Sequence, residues 1–89
     1  MPATMSTIWP KESIKSARLG NEMVLLDETS GLYFGLNEIA SEIWSRIQSG
    51  KNEGEICADL LEEFAVPRDV LESDIRAFVD QLRAAKLLI

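Results

Sequence analysis

The chain has 89 residues, of which 46% are apolar and 27% charged, with 15 acidic against 9 basic side chains, no histidine and one cysteine. A chain of that length holds one domain and one core, and a net charge of −6 repels a phosphate backbone, which weighs against nucleic acid as a partner. Without histidine the commonest general base and metal ligand is missing, and a lone Cys57 forms no intramolecular disulfide, as expected in a reducing compartment.

No apolar run approaches the roughly 20 residues that span a bilayer. The start MPATMSTIWPKES lacks the basic segment and apolar core of a signal peptide. A soluble, cytoplasmic protein with no membrane partner is the expectation. From Met1 to Ser13 there is no periodicity, and Pro2 and Pro10 interrupt any regular element, so residues 1–13 read as a flexible arm, with Trp9 as a local pin.

From Ile14 the pattern changes. IKSARL alternates in part, Gly20 and Asn21 supply residues that tolerate positive φ, and MVLLD follows as an apolar strand, which together predict a hairpin. ETSG makes a second turn and LYFGL a third short strand. Asn37 stands where a helix N-cap belongs, ahead of Ile39, Ala40, Ile43, Trp44 and Ile47 at helical spacing, and Gly50 ends that helix.

Asn52 and Glu55 have capping-box spacing at the head of a second helix that buries Ile56, Cys57, Leu60, Leu61 and Phe64. AVP breaks it, since Val66 before Pro67 is pushed towards an extended conformation. The third helix, about Pro67 to Lys86, carries Leu71, Ile75, Phe78 and Leu82 on one stripe, widened by Val79. At about 100° per residue, Val70, Asp74, Ala77, Gln81 and Ala85 form the border of that stripe and suit the wall of a groove. The apolar tail Leu87 to Ile89 is expected to pack on the domain. The fold class is α+β: a three-stranded antiparallel sheet followed by three helices, winged-helix-like in order.

Catalytic chemistry is poorly supported. Cys57 sits among Ile56, Leu60 and Leu61, the setting of a buried small hydrophobe more than of a reactive thiol. Glu62 and Glu63 are neighbours on a helix and read as its solvated face. SGKNEG lacks the spacing of a phosphate loop. The chain reads as a non-enzyme with no cofactor.

The strands offer more. A three-stranded meander has two open edges, and the last strand, LYFGL, carries no charge. Tyr33 and Gly35 lie on one of its faces and Leu32, Phe34 and Leu36 on the other. Gly35 leaves room for close approach. An added peptide strand would gain main-chain hydrogen bonds there; alternatively the edge is covered by the N-terminal arm and its aromatics serve ordinary packing. The last two helices also suit a helix-turn-helix, but Asp69, Glu72, Asp74 and Asp80 on the third oppose DNA.

The runs VLLDETSGLYFGLNEIASEIW and GKNEGEICADLLEEFAVPRDVLESDIRAFVDQLRAAKLLI resemble the PqqD-like family, the leader-peptide recognition elements (RiPP recognition elements) of ribosomally made, modified peptides. The resemblance covers residues 14–89. It is closer to the stand-alone recognition proteins of lasso peptide clusters than to PqqD itself, in which LLxPE tends to follow the second strand. It implies a non-catalytic adaptor that binds the leader of a precursor peptide as a fourth strand, antiparallel to the third, beside the last helix. By the same resemblance Leu32, Tyr33, Phe34 and Gly35 form the strand side of the site, and Asp74, Ala77, Phe78, Gln81 and Leu82 the helix side. Phe78 and Leu82 also belong to the core stripe. The implied partners are the precursor leader, a leader-cleaving protease and a cyclase. The alternatives are a winged-helix transcriptional regulator, a PqqD-like chaperone for another peptide-modifying enzyme, and an acidic carrier protein, for which the usual Asp-Ser-Leu is missing.

Overall fold

The computed structural model describes residues 8–88. Strands β1 (Ile14–Leu19), β2 (Glu22–Asp27) and β3 (Leu32–Leu36) precede helices α1 (Glu38–Gln48), α2 (Glu53–Glu63) and α3 (Arg68–Ala84). The expected α+β order is the observed one. Both strand pairs are antiparallel, in the order β1-β2-β3, so β1 and β3 are the edges. Leu19 pairs with Glu22 across a two-residue turn whose Gly20 has φ +65°, a conformation only glycine adopts at no cost. Among the described residues no helix is long and apolar enough to cross a membrane.

The pairing register decides which side chains enter the core. Met23 faces Leu36, Leu25 faces Phe34 and Asp27 faces Leu32, so these six share the sheet face turned to the helices. Met23, Leu25 and Leu36 are buried on it, and Ile43, Trp44 and Ile47 of α1 complete the core from above. Asn37 caps α1, its Oδ1 accepting from Ala40 N–H at 2.9 Å. The capping box of α2 is fully formed between Asn52 and Glu55. Arg46 joins α1 to α2, with Glu42 at 2.8 Å, Asp59 at 3.2 Å, and Glu63 as a third carboxylate partner.

Two findings depart from the sequence reading. The segment from Ile8 is not a loose arm: Ile8 is buried in the core, Pro10 pairs with Leu88, and Lys11 N–H donates to Leu87 O at 3.0 Å. Trp9 does act as a pin, its Cη2 lying 3.3 Å from where a Cβ on Gly50 would sit. Apolar burial and backbone pairing with the tail hold this stretch, and both are long-range contacts that local periodicity does not register. The remainder of the expected arm, residues 1–7, lies outside the described residues, as does Ile89. On α3, the buried stripe runs through Leu71, Ile75, Val79 and Leu82, whereas Phe78 is only half-buried.

The end of α3 is a Schellman turn. Leu87 N–H donates to Leu82 O at 2.9 Å and Lys86 N–H to Arg83 O at 3.0 Å, and Leu82 and Leu87 are both buried, the apolar contact that accompanies this motif. The left-handed position is held by Lys86, at φ +61°, a place where glycine carries no Cβ penalty. Lys86→Gly is therefore expected to stabilise the domain by up to about 1 kcal/mol, seen as a higher urea midpoint with an unchanged m-value.

Asp27 is the one buried carboxylate of the described core, 3% exposed. It accepts from Ser13 Oγ and Thr29 N–H at 3.0 Å each and pairs with Lys11 at 3.4 Å. Burial pushes its carboxyl up, but the hydrogen bonds from Thr29 and Ser13 and the charge of Lys11 outweigh burial and leave it below its ordinary value. Asp59 is lowered too, chiefly by the Lys51 hydrogen bond and, against some desolvation, by Arg46. A lowered folded-state pKa contributes stability above the unfolded value, about 3.9, that disappears as pH falls through the folded one. The melting temperature is expected to drop below about pH 4. Asp27→Asn should lower it at pH 7 and flatten part of that acid slope; thermal melts across pH 2–7, an experimental range of roughly the span over which carboxylates titrate, check both.

Candidate functional site

Helix α1 packs against β2 and β3 and also against α2 and α3, while no Cα of α3 comes within 8 Å of any strand. The gap between β3 and α3 is a cleft floored by the first turns of α1. It has two adjoining parts. One, of about 330 Å³, lies beside Phe34, Gly35 and Leu36 and reaches Phe78, Leu82, Ala85 and Leu87. The other, of about 310 Å³, lies between Ile39, Ala40 and Ile43 of α1 and Asp74 and Ala77 of α3. Asn37, Ala40, Phe78 and Gln81 line both.

Local sequence places these groups. The Asn37 cap turns the chain from β3 into α1 so that Ala40, one turn on, faces the cleft with a side chain too small to fill it. Ser41, fully buried beneath, donates to Asn37 O at 2.7 Å and to Leu36 O at 3.3 Å, tying helix start to strand end. On α3, Asp74, Ala77, Phe78 and Gln81 recur at intervals of three and four and so share one side of the helix. Asp74 is in no ion pair among the described residues, and it supplies the only charge in the cleft lining.

The cleft brings together seven of the nine residues named from the sequence: Phe34, Gly35, Asp74, Ala77, Phe78, Gln81 and Leu82. Leu32 and Tyr33 line neither part. Both are exposed, at 56% and 70%, and Tyr33 lies on the opposite sheet face. The double membership of Phe78 and Leu82 resolves by depth: Leu82 is a core residue whose edge reaches the cleft, and Phe78 is half-buried with a face open to it. Sequence reasoning missed the floor, Asn37, Ile39, Ala40 and Ile43, and the end wall at Leu87. The helical wheel of α1 carried a signal for Ala40, a small residue inside an otherwise bulky stripe.

β3 presents a backbone edge that no described element covers, since Ile8–Ser13 pairs with the C-terminal tail instead. The site therefore offers unpaired main-chain donors and acceptors along five uncharged residues, beside a cleft that is mainly apolar at the Leu82 and Leu87 end and more polar at the Asp74 end, with one carboxylate and two amide side chains. That combination suits an extended peptide.

The family model for coenzyme PQQ synthesis protein D (PqqD) matches residues 22–88. No curated protein sequence matches the chain. Among solved structures, TbiB1 in complex with the TbiA(beta) leader peptide is similar with a TM-score of 0.85 and 36% identity, over 90% of this chain and 93% of that one. A lasso peptide synthetase B1 complexed with the leader peptide is similar with a TM-score of 0.85 and 31% identity, over 94% and 99% of the two chains.

Core and rim members of the cleft should separate in stability. Leu82→Ala is expected to cost about 2–5 kcal/mol, whereas Gln81→Ala and Asp74→Ala should stay within about 0.5 kcal/mol of the parent, as read from urea unfolding.

Proposed function

The chain belongs to the PqqD family, and on that premise we propose that it is a RiPP recognition element of the lasso-peptide type: a non-catalytic adaptor that binds the leader of a precursor peptide. The leader adds to β3 as a fourth, antiparallel strand. Its main chain pairs with the open edge, and its inward side chains enter the cleft against Phe78, Leu82 and Ala85. Asp74 accepts a hydrogen bond from the leader, a charge-assisted contact contributing about 1.5–3 kcal/mol.

The observation that carries this reading is the separation of α3 from β3, whose Cα atoms stay more than 8 Å apart and leave a cleft beside an uncharged edge strand. Two relatives at 36% and 31% identity that are themselves leader complexes support it. The adaptor works in the cytoplasm and holds the precursor while a leader-cleaving protease and a cyclase act on it, raising the effective concentration of the segment to be modified. A leader that orders only on binding is held with modest affinity per unit area, which favours release after processing.

Fluorescein-labelled synthetic peptides, one for each short open reading frame flanking the gene, test this by fluorescence polarisation. One of them is expected to bind with a Kd in the micromolar range or below. Tyr33→Ala, Asp74→Ala and the cleft-filling Ala77→Trp should each weaken it about tenfold or more, a loss of about 1.4 kcal/mol, with unchanged circular dichroism. Binding equal to the parent's by folded Asp74→Ala and Ala77→Trp would rule out this cleft, and unchanged binding by Tyr33→Ala would remove only the β3 contact on the other sheet face.

A further inference from the structure

Gly35 is a glycine without a reason in the free fold. Its backbone is outside the left-handed region, and a Cβ built on it meets nothing within 4 Å. Glycine inside a strand weakens it by leaving backbone entropy to be lost and no side chain to pack. The explanation lies on the face of the sheet turned away from the helices. There Ala17, Val24 and Gly35 stand in one row across the three strands, and side-chain height falls to nothing at the β3 edge. The neighbouring row is Lys15, Leu26 and Tyr33, and Leu19 stands at the other side, two residues from Ala17. The result is a depression of about 270 Å³ bordered on this face by Leu19, Glu22, Val24 and Gly35 and reaching Met23, Leu36 and Asn37 where the sheet ends. Tyr33 and Leu19 beside it are among the most exposed large apolar side chains described, at 70% and 66%.

We infer that the leader is read on both faces of the sheet, and that its strand places an aromatic side chain over Gly35 on the outer face. This rests on the fourth-strand reading above. A strand paired with β3 sets the residue aligned with Gly35 on the same face as Gly35, with its Cβ about 4.5–5.5 Å from that position. Opposite a glycine there is no side chain to meet it, so a ring lies flat across the strand and covers the exposed glycine backbone, the arrangement by which aromatic residues restore stability to glycine sites in sheets. The depression is continuous with the β3 edge, since Gly35 and Leu36 border both it and the inner cleft. It is shallow and open, bounded by Val24 and Leu19 as apolar walls, and Tyr33 stands one pair along as an edge-to-face partner. Inward residues of the leader thus meet the Phe34 and Phe78 side, and one outward residue meets Gly35.

The test is a size exchange between Gly35 and the leader, using the labelled flanking-frame peptide that binds the parent chain. Gly35→Val, with Gly35→Ala as the milder variant, should melt no lower than the parent, because the added atoms meet nothing. Leader affinity should fall tenfold or more for Gly35→Val. In a glycine scan of the peptide, one aromatic position should weaken binding to the parent yet bind Gly35→Val better than the unsubstituted peptide does. Gly35→Val binding within twofold of the parent, or an exchange that maps to an aliphatic position or to none, overturns the inference. If Ala77→Trp abolishes binding while both Gly35 variants leave it unchanged, the fourth-strand reading stands and only the outer-face contact falls. If no flanking-frame peptide binds the parent chain, the leader-binding reading itself fails, and this inference with it.

Discussion

Helix α1 is the keel of the molecule. A three-stranded sheet has one face to bury and each helix has one stripe, and α1 alone satisfies both demands by standing between the sheet and the other helices. Its buried residues, Ser41, Ile43, Trp44 and Ile47, spread over about 160° of the helix at about 100° per residue. One flank of that arc meets Met23, Leu25 and Leu36, and the other meets α2 and α3. Because α1 has this width, α3 is held away from the strands, and the gap left at the β3 side becomes the cleft.

The same arrangement explains why the cleft is usable. Burial falls steadily along the inward residues of β3, from Leu36 at 7% through half-buried Phe34 to Leu32 at 56%, so the strand leans out of the core as it recedes from the Asn37 cap. Its backbone edge stays open because the element available to cover it is committed elsewhere: Ile8 is in the core and Lys11 is tied to both Asp27 and Leu87. An open, uncharged edge invites unwanted pairing. The net charge of −6 on the remainder of the surface opposes self-association, leaving the edge for a peptide small enough to avoid that repulsion.

The Schellman turn at Lys86 links the core to the site. It folds Leu87 back under Leu82, and Leu87 then serves both as a core residue and as the end wall of the cleft. Stability and recognition are therefore coupled at that end. At the other end they are separate, because Asp74, Ala77 and Gln81 contribute almost nothing to the core. The proposed leader contacts at these positions can therefore change without unfolding the domain.

Much of this was legible in the residues. The Gly20-Asn21 turn, the Asn37 cap, the Asn52 and Glu55 box and the break at AVP are local signals, each carried by residues within four positions of one another, so they mark the six elements without reference to the fold. The alternation in LYFGL likewise separated Phe34 from Tyr33. What needed the tertiary structure was every contact between distant parts of the chain. Ile8 reads as part of a proline-broken arm until its burial is seen, and α1 reads as a single-stripe helix until the sheet and α3 are found on either flank. Phe78 and Val79 flank the stripe of Leu71, Ile75 and Leu82, about 100° apart on the wheel of α3, and only the packing of that helix against α1 and α2 buries Val79 and leaves Phe78 facing the cleft. A sequence lists which side chains are apolar and at what period; which of two neighbouring ones ends in the core, and which lines a groove, is decided by the packing of whole elements, where burying apolar area against one neighbour forecloses burying it against another.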